Sequence, residues 1–161
     1  MSDAGNRPAD PLTSRAVPTA HLFTDDTDVR ALAGRLRRVA VLGIKTAAQI
    51  DQPAYYVPAY LVAEGVEVVP VPVYYPEATE ILGRPVVRDL KLAGPVDAVV
   101  VFRRGGDVAV HADDLLALHP GAVWLQLGIR NDTVAARLVA AGIDVVQDRC
   151  LMVEHRRARG G

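Results

Sequence analysis

The chemistry available to this chain is concentrated where short apolar runs give way to glycine and charge. Val39-Ala40-Val41-Leu42 runs into Gly43-Ile44-Lys45-Thr46-Ala47-Ala48-Gln49-Ile50-Asp51-Gln52-Pro53. A loop that leaves a strand and enters a helix aims helix amides at an anion. Gly43 would let a phosphate approach the backbone, Lys45 could pair with it, and Thr46 could donate its hydroxyl. The loop lacks the spaced glycines of a dinucleotide fingerprint and the Gly-Lys-Ser/Thr ending of a triphosphate-binding loop. An ordinary turn therefore stays open beside a phosphate site.

A second basic loop reads Phe102-Arg103-Arg104-Gly105-Gly106-Asp107-Val108. Two arginines beside two glycines can hold phosphate groups. The competing reading is a solvated pair, or an Arg103 ion pair with Asp107. The apolar run ending Val69-Pro70-Val71-Pro72-Val73-Tyr74 is informative by what it lacks. A nicotinamide-dinucleotide site needs an Asp or Glu there for the ribose hydroxyls. Glu64 and Glu67 come too early, and a proline-rich apolar end suits an adenine face better.

Three further positions stand out. Gln126 interrupts the run Val123-Trp124-Leu125 and needs a buried partner or a ligand for its amide; Trp124 itself reads as core. Asp148 and Arg149 are placed to pair with neighbouring loops. Cys150 reads as a buried structural thiol, because the sequence places no histidine as its base. His21, His111, His119 and His155 form no i,i+4 metal pair and read as surface or capping residues. No Gly-x-Ser-x-Gly elbow and no carboxylate pair suggests hydrolytic chemistry.

The elements that must position these loops follow from periodicity. Strands are expected at Val39–Leu42, Val66–Val73, Ala98–Phe102, Ala122–Leu127 and Ile143–Val146. Helices are expected from Thr24 or Asp25, over Tyr56–Glu64, Asp107–Leu118 and Asp132–Ala141, and from Leu151. Pro58 is tolerable only in a first helical turn, which places that helix start at Tyr56. The strands are continuous apolar runs, which implies burial on both faces. Strands alternating with helices imply an α/β fold: a Rossmann-like, doubly wound parallel sheet of five strands in a single domain. Residues 1–22, rich in Pro, Asp, Ser and Thr, are expected to form a tail, and residues 23–161 the domain.

Composition narrows the function. The chain has 161 residues, a formal net charge of −1 and 5% aromatic residues, which disfavours nucleic-acid and membrane partners. One cysteine excludes an internal disulfide and a cysteine-rich zinc site, and fits a cytoplasmic protein. No signal peptide and no apolar run of membrane-spanning length is seen.

The loops, in this order and spacing, resemble the small stand-alone CoA-binding proteins. Their domain is similar to the CoA-binding domain of the succinyl-CoA synthetase alpha subunit. The resemblance covers roughly Val39 to His155 and rests on Val-Ala-Val-Leu-Gly at 39–43, Tyr-Tyr-Val-Pro-Ala-Tyr-Leu at 55–61, Glu-Ile-Leu-Gly-Arg-Pro-Val at 80–86, Phe-Arg-Arg at 102–104, Trp-Leu-Gln-Leu-Gly-Ile-Arg-Asn at 124–131, and Asp-Arg-Cys-Leu-Met-Val-Glu-His at 148–155. It implies a bound coenzyme A. By that resemblance Gly43, Ile44, Lys45, Thr46, Gln52 and Pro53 line the phosphates. Val71 and Pro72 lie near the adenine, and Phe102, Arg103, Arg104 and Val108 line the next stretch of ligand. The chain departs from the family where Gly43-Ile44-Lys45 replaces Gly-Ala-Ser, and where Pro70-Val71-Pro72-Val73 replaces Pro-Val-Asn-Pro. These changes bear on affinity more than on fold. The synthetase's second domain, with its phosphorylated histidine, has no counterpart in a chain of this length.

The expected function is non-covalent binding of coenzyme A or an acyl-CoA without catalytic machinery, that is, not an enzyme. The alternatives are an acyl-CoA-using transferase or nicotinamide-dependent enzyme, and a vestigial nucleotide fold serving as a regulatory subunit. Self-association or a protein partner is compatible with each.

Overall fold

The computed structural model describes residues 20–160. Most of the expected tail, residues 1–19, lies outside the described residues. Thirteen regular elements follow: β1 (Leu22–Phe23), α1 (Asp26–Arg35), β2 (Arg38–Leu42), α2 (Pro53–Ala63), β3 (Glu67–Val71), β4 (Glu80–Ile81), β5 (Arg84–Pro85), β6 (Ala98–Val101), α3 (Ala112–Leu118), β7 (Ala122–Leu125), α4 (Asp132–Ala140), β8 (Asp144–Val146) and α5 (Leu151–Ala158). One parallel sheet runs in the order β1-β8-β7-β6-β2-β3, and β4 and β5 form a separate antiparallel ribbon.

The Rossmann-like parallel architecture is as expected, but the sheet has six strands, not five. Leu22, placed in the tail by composition, pairs with Val145, and Phe23 with Val146. Two residues carry no periodicity, and only the exposed edge of β8 makes them a strand. On the opposite edge, β3 contains Pro70. A proline is tolerated there because a ladder N–H is missing only from the outer side. The Pro70 carbonyl on that side accepts the Val87 N–H at 2.8 Å.

Both sheet faces are covered. Val39, Val41, Val100, Trp124 and Val146 pack with Val29 and Leu32 of α1, Val57 and Leu61 of α2, and Leu151 of α5. The alternate positions, including Ala40, Leu42, Val99, Val101 and Leu125, pack with Leu115 of α3 and Val134 and Leu138 of α4. Side chains alternate across a strand, so two buried faces make every strand position apolar. Trp124 is core, as expected, and its Nε1 donates to the Arg149 carbonyl at 2.8 Å.

Two helices differ from expectation. The expected Asp107–Leu118 helix divides into a 3₁₀ segment, Gly105–His111, and α3. α2 begins at Pro53, not Tyr56, with Pro53 in its first turn and Pro58 inside it. The helix continues past Pro58 because the lost bond is replaced. A residue at 58 would donate to the Ala54 carbonyl; that carbonyl instead accepts the Lys45 N–H at 3.1 Å.

α5 is held by polar groups that its amphipathic pattern does not reveal. Glu154 is buried beside Arg30, Arg149 and Arg157 at 3.5–3.7 Å. His155, read as surface from the sequence, is buried with 1% exposure. Its Nδ1 lies 2.9 Å from the Tyr60 hydroxyl of α2. A neutral imidazole accepts that proton, whereas a protonated one cannot. Burial lowers the His155 pKa below its ordinary value and raises that of Tyr60.

A folded-state histidine pKa below the unfolded one means that the unfolded chain binds more protons. Stability should therefore be level above pH about 6.5 and fall as the pH drops from there through the folded pKa. His111 shifts in the same direction, so the test compares wild type with His155→Gln. Urea midpoints at pH 5.5 and 7.5 should differ more for wild type than for the variant; equal differences would remove His155 from this account.

Candidate functional site

The chain leaves β2 for β3 on one side and later returns to β6 on the other, so the winding reverses between β2 and β6. Loops diverge at such a point and leave a crevice at the strands' carboxyl ends. Here the crevice floor is set by Gly43 and Phe102. The Gly43 N–H donates to the Val71 carbonyl at 2.8 Å, and the Phe102 N–H to the Leu42 carbonyl at 2.9 Å. Gly43 adopts φ +85°, and a Cβ there would lie 2.5 Å from the Phe102 carbonyl oxygen. Glycine is required both by that backbone conformation and by the approach of the neighbouring strand.

Two adjoining clefts open above this floor. The main cleft, about 460 Å³, is lined by Lys45, Gln52, Pro53, Phe102, Arg103 and Arg104, together with Tyr56, Gln126, Ile129 and Cys150. A second, about 370 Å³, shares Lys45, Phe102, Arg103 and Arg104 and adds Gly43, Tyr74 and Asp107. A smaller recess of about 260 Å³ lies beside Val71 and Pro72, with Arg88 and His111 on its wall.

The first loop is braced from within. The Lys45 ammonium donates to the Gln52 side-chain oxygen, which leaves the ammonium charge uncompensated. Thr46 caps the short turn Ala47–Gln49: its hydroxyl accepts from the Ala48 N–H at 3.3 Å and donates to Gln49 at 2.9 Å. Those bonds take up the hydroxyl that the sequence offered to a ligand. Ile44 has 0% exposure and belongs to the core, so only its backbone can meet a ligand. Gln52 and Pro53 start α2, whose positive dipole end faces the main cleft.

The Phe102–Val108 loop separates its two arginines. Arg103 sits 3.9 Å from Asp107, donates through Nε to His111 at 3.3 Å, and lies 6.0 Å from the Tyr74 ring centroid. Burial and the Arg103 charge lower the His111 pKa, which keeps its ring available as an acceptor. Arg104 is exposed and, among the described residues, has no side-chain hydrogen bond. The sequence left phosphate binding and an Arg103–Asp107 pair as alternatives; the structure contains the pair and leaves Arg104 available. Val108 has 0% exposure and packs in the core, away from the three clefts.

Neighbouring loops lock this one in place. A Cβ on Gly105 would lie 2.4 Å from the Arg130 carbonyl oxygen. Asn131 donates to the Gly105 carbonyl at 3.0 Å while its Oδ1 caps α4 through the Val134 N–H at 3.0 Å. Arg149 pairs at 2.6 Å with Asp26, the first residue of α1, so its partner is a helix start and not a neighbouring loop. Arg88 donates to the Tyr74, Tyr75 and Ala78 carbonyls at 2.7–3.1 Å and fixes the segment after β3.

Gln126 finds a buried partner: its Oε1 accepts the Leu151 N–H at 2.7 Å. Cys150 is half-buried and lines the main cleft, which corrects its reading as an enclosed thiol. Tyr56, Ile129 and Cys150 were not among the residues expected at the site. Their signal was positional, since each follows a strand's carboxyl end or begins the next helix. Among the described residues no cluster of three His, Cys, Asp or Glu could hold a metal, and no helix is long and apolar enough to cross a membrane.

Residues 37–156 match the model of the CoA binding domain family. The chain is 30% identical over 129 residues to the Bacillus subtilis (strain 168) protein YneT, covering 80% of this chain and 92% of that one. It superimposes on a Thermus thermophilus structure, cell-free ID.343, with a TM-score of 0.74 and 42% identity, over 84% of this chain and 99% of the other. It also superimposes on Prb, a protein redesigned for binding, with a TM-score of 0.75 and 26% identity, over 89% and 97% of the two chains.

The Lys45 N–H ties the first loop to α2 through the Ala54 carbonyl, which Pro58, lacking an N–H, leaves without its helical donor. Pro58→Ala restores a competing donor. Protection of the Lys45 amide from hydrogen exchange should fall by about 3- to 10-fold, the share of one backbone bond. Unchanged protection would mean that the carbonyl serves both donors.

Proposed function

Because the chain belongs to the CoA binding domain family, we propose that it binds coenzyme A or an acyl-CoA non-covalently along the carboxyl edge of its sheet, without catalytic machinery of its own. The observation that carries this reading is the pair of adjoining clefts sharing Lys45, Phe102, Arg103 and Arg104. A long ligand with a polyanionic middle fits such a site. The phosphates lie against Lys45, Arg104 and the start of α2. The adenine lies towards Pro72 and its recess, and the pantetheine arm enters the main cleft, whose wall is largely apolar. Arg103, already paired, sets the shape of the loop and contributes less charge than Arg104.

The segment after β3 supports coenzyme A over a nicotinamide dinucleotide. Val73, Tyr74 and Tyr75 stand where a ribose-binding acid would be needed. The absence of catalytic turnover is part of the proposal and rests on residue types: Lys45 in the clefts and His111 in the adjoining recess, the side chains able to act as a general base, are engaged by Gln52 and Arg103. A cytoplasmic location belongs to the same reading, supported by the single unpaired cysteine.

Coenzyme A should raise the melting temperature, and NAD at equal concentration should not. At about 100 times its dissociation constant the bound ligand adds about 2.7 kcal/mol. Stabilisation by NAD with none by coenzyme A would overturn the reading.

Lys45→Ala should weaken coenzyme A by about 10- to 150-fold, the worth of a charge-assisted contact of about 1.5–3 kcal/mol. Titration calorimetry with dephospho-CoA separates the contacts. A loss confined to coenzyme A assigns Lys45 to the 3′-phosphate, and an equal loss assigns it to the pyrophosphate. Unchanged affinity for both would shift the anion site to Arg104.

A further inference from the structure

Two residues of the main cleft have no part in holding phosphate. Cys150 is half-buried, lines the cleft, and forms the N-cap of α5 without a side-chain capping bond. Gln126 lines the same cleft with only 3% exposure. The Leu151 N–H fixes its Oε1 at 2.7 Å, so the amide orientation is set. Among the described residues its Nε2 has no acceptor, yet it is not among the enclosed unpaired atoms. A nearly buried amide with one branch anchored and a donor left open to a cleft signals a ligand acceptor there. The anchor is the residue directly after Cys150, so donor and thiol are held by the same turn.

We propose that Cys150 is a thiol–disulfide exchange site for coenzyme A, in which the main cleft seats the pantetheine arm with its terminal sulfur at Cys150. The proposal rests on the binding mode above. The arm carries two amide groups, and Gln126 Nε2 donates to one of their carbonyls. The co-reactant is the symmetric disulfide of coenzyme A. The Cys150 thiolate attacks one sulfur of that disulfide. The new Cys150–coenzyme A disulfide forms as the old S–S bond breaks, and the second coenzyme A departs as a thiolate that takes up the proton Cys150 released. Cys150 is oxidised, the departing thiol is reduced, and no other oxidant is consumed. The positive end of the α5 dipole favours the negative charge developing on sulfur. The chain would thereby change between an open and a covalently filled cleft with the redox state of the coenzyme A pool.

The chain has one cysteine, so the intact mass of the wild-type protein locates the adduct without a variant. The reduced full-length chain is mixed with coenzyme A disulfide or, separately, with glutathione disulfide at equal concentration. Calorimetry with reduced coenzyme A in a phosphine reductant is run in parallel. The expected result is a mass gain of one coenzyme A less the two thiol hydrogens. It should form at least about tenfold faster than the glutathione adduct, because the cleft raises the effective concentration of the bound disulfide, and dithiothreitol should reverse it. Equal rates for the two disulfides, or no coenzyme A adduct while calorimetry shows binding of the reduced form, would overturn the exchange site and leave the binding reading intact. No calorimetric binding, with slow or unselective modification, would overturn both.

Discussion

The contact between Gly43 and the Phe102 carbonyl governs the arrangement of the binding edge. β2 and β6 are neighbours in the sheet, but the chain departs from them in opposite directions. Their carboxyl ends must come close and then diverge. A Cβ at 43 would stand 2.5 Å from the Phe102 oxygen, at a backbone angle of +85°. A side chain would push the Gly43–Pro53 loop away from the Phe102–Val108 loop, and the clefts share residues from both. The crevice is thus a consequence of parallel winding, and its dimensions are set by one glycine.

Around that floor, backbone groups do most of the positioning. Pro58 removes a helical donor and leaves the Ala54 carbonyl to the Lys45 amide. Asn131 joins the Phe102–Val108 loop to the start of α4, and Gln126 joins the end of β7 to the start of α5. Helix starts carry unsatisfied N–H groups, so a side chain that caps a helix also fixes where its loop runs. Buried amides were ambiguous between ligand contact and scaffold; Gln126 uses one branch for scaffold and leaves the other at the cleft.

Charge is apportioned unequally among the site's cations. Arg103 is surrounded by Asp107, His111 and Tyr74. Such a residue is ordered before any ligand arrives and has less charge to offer. Lys45 has only a neutral partner in Gln52, and Arg104 has no side-chain partner among the described residues. An anion would gain most from the latter two, because their charges are the least compensated. The same logic operates in reverse at α5, where Glu154 is buried and accompanied by three arginines. Glu154 alone of this group is buried, so its carboxylate depends on the partly exposed arginines around it.

The sequence alone determined the doubly wound α/β fold, because burial on two faces forces every position of Val39–Leu42 and Ala98–Val101 to be apolar. It also located the basic loops, since glycine and charge must follow a strand that ends at a crevice. What pattern could not decide was any feature requiring a partner distant in the chain. β1 exists because Val145 and Val146 offer an edge. α2 passes Pro58 because Lys45, thirteen positions earlier, takes over the freed carbonyl. Ile44 and Val108 were expected at the ligand and turned inward, since a loop residue beside a core gains more from burial than from facing water. His155 was expected at the surface and is buried against Tyr60, and Cys150 was expected in the core and lines the cleft. Periodicity reports which side of an element is apolar. Whether a residue at the end of an element faces core, cleft or another loop depends on how the separate elements pack, and that is settled only when the chain is folded.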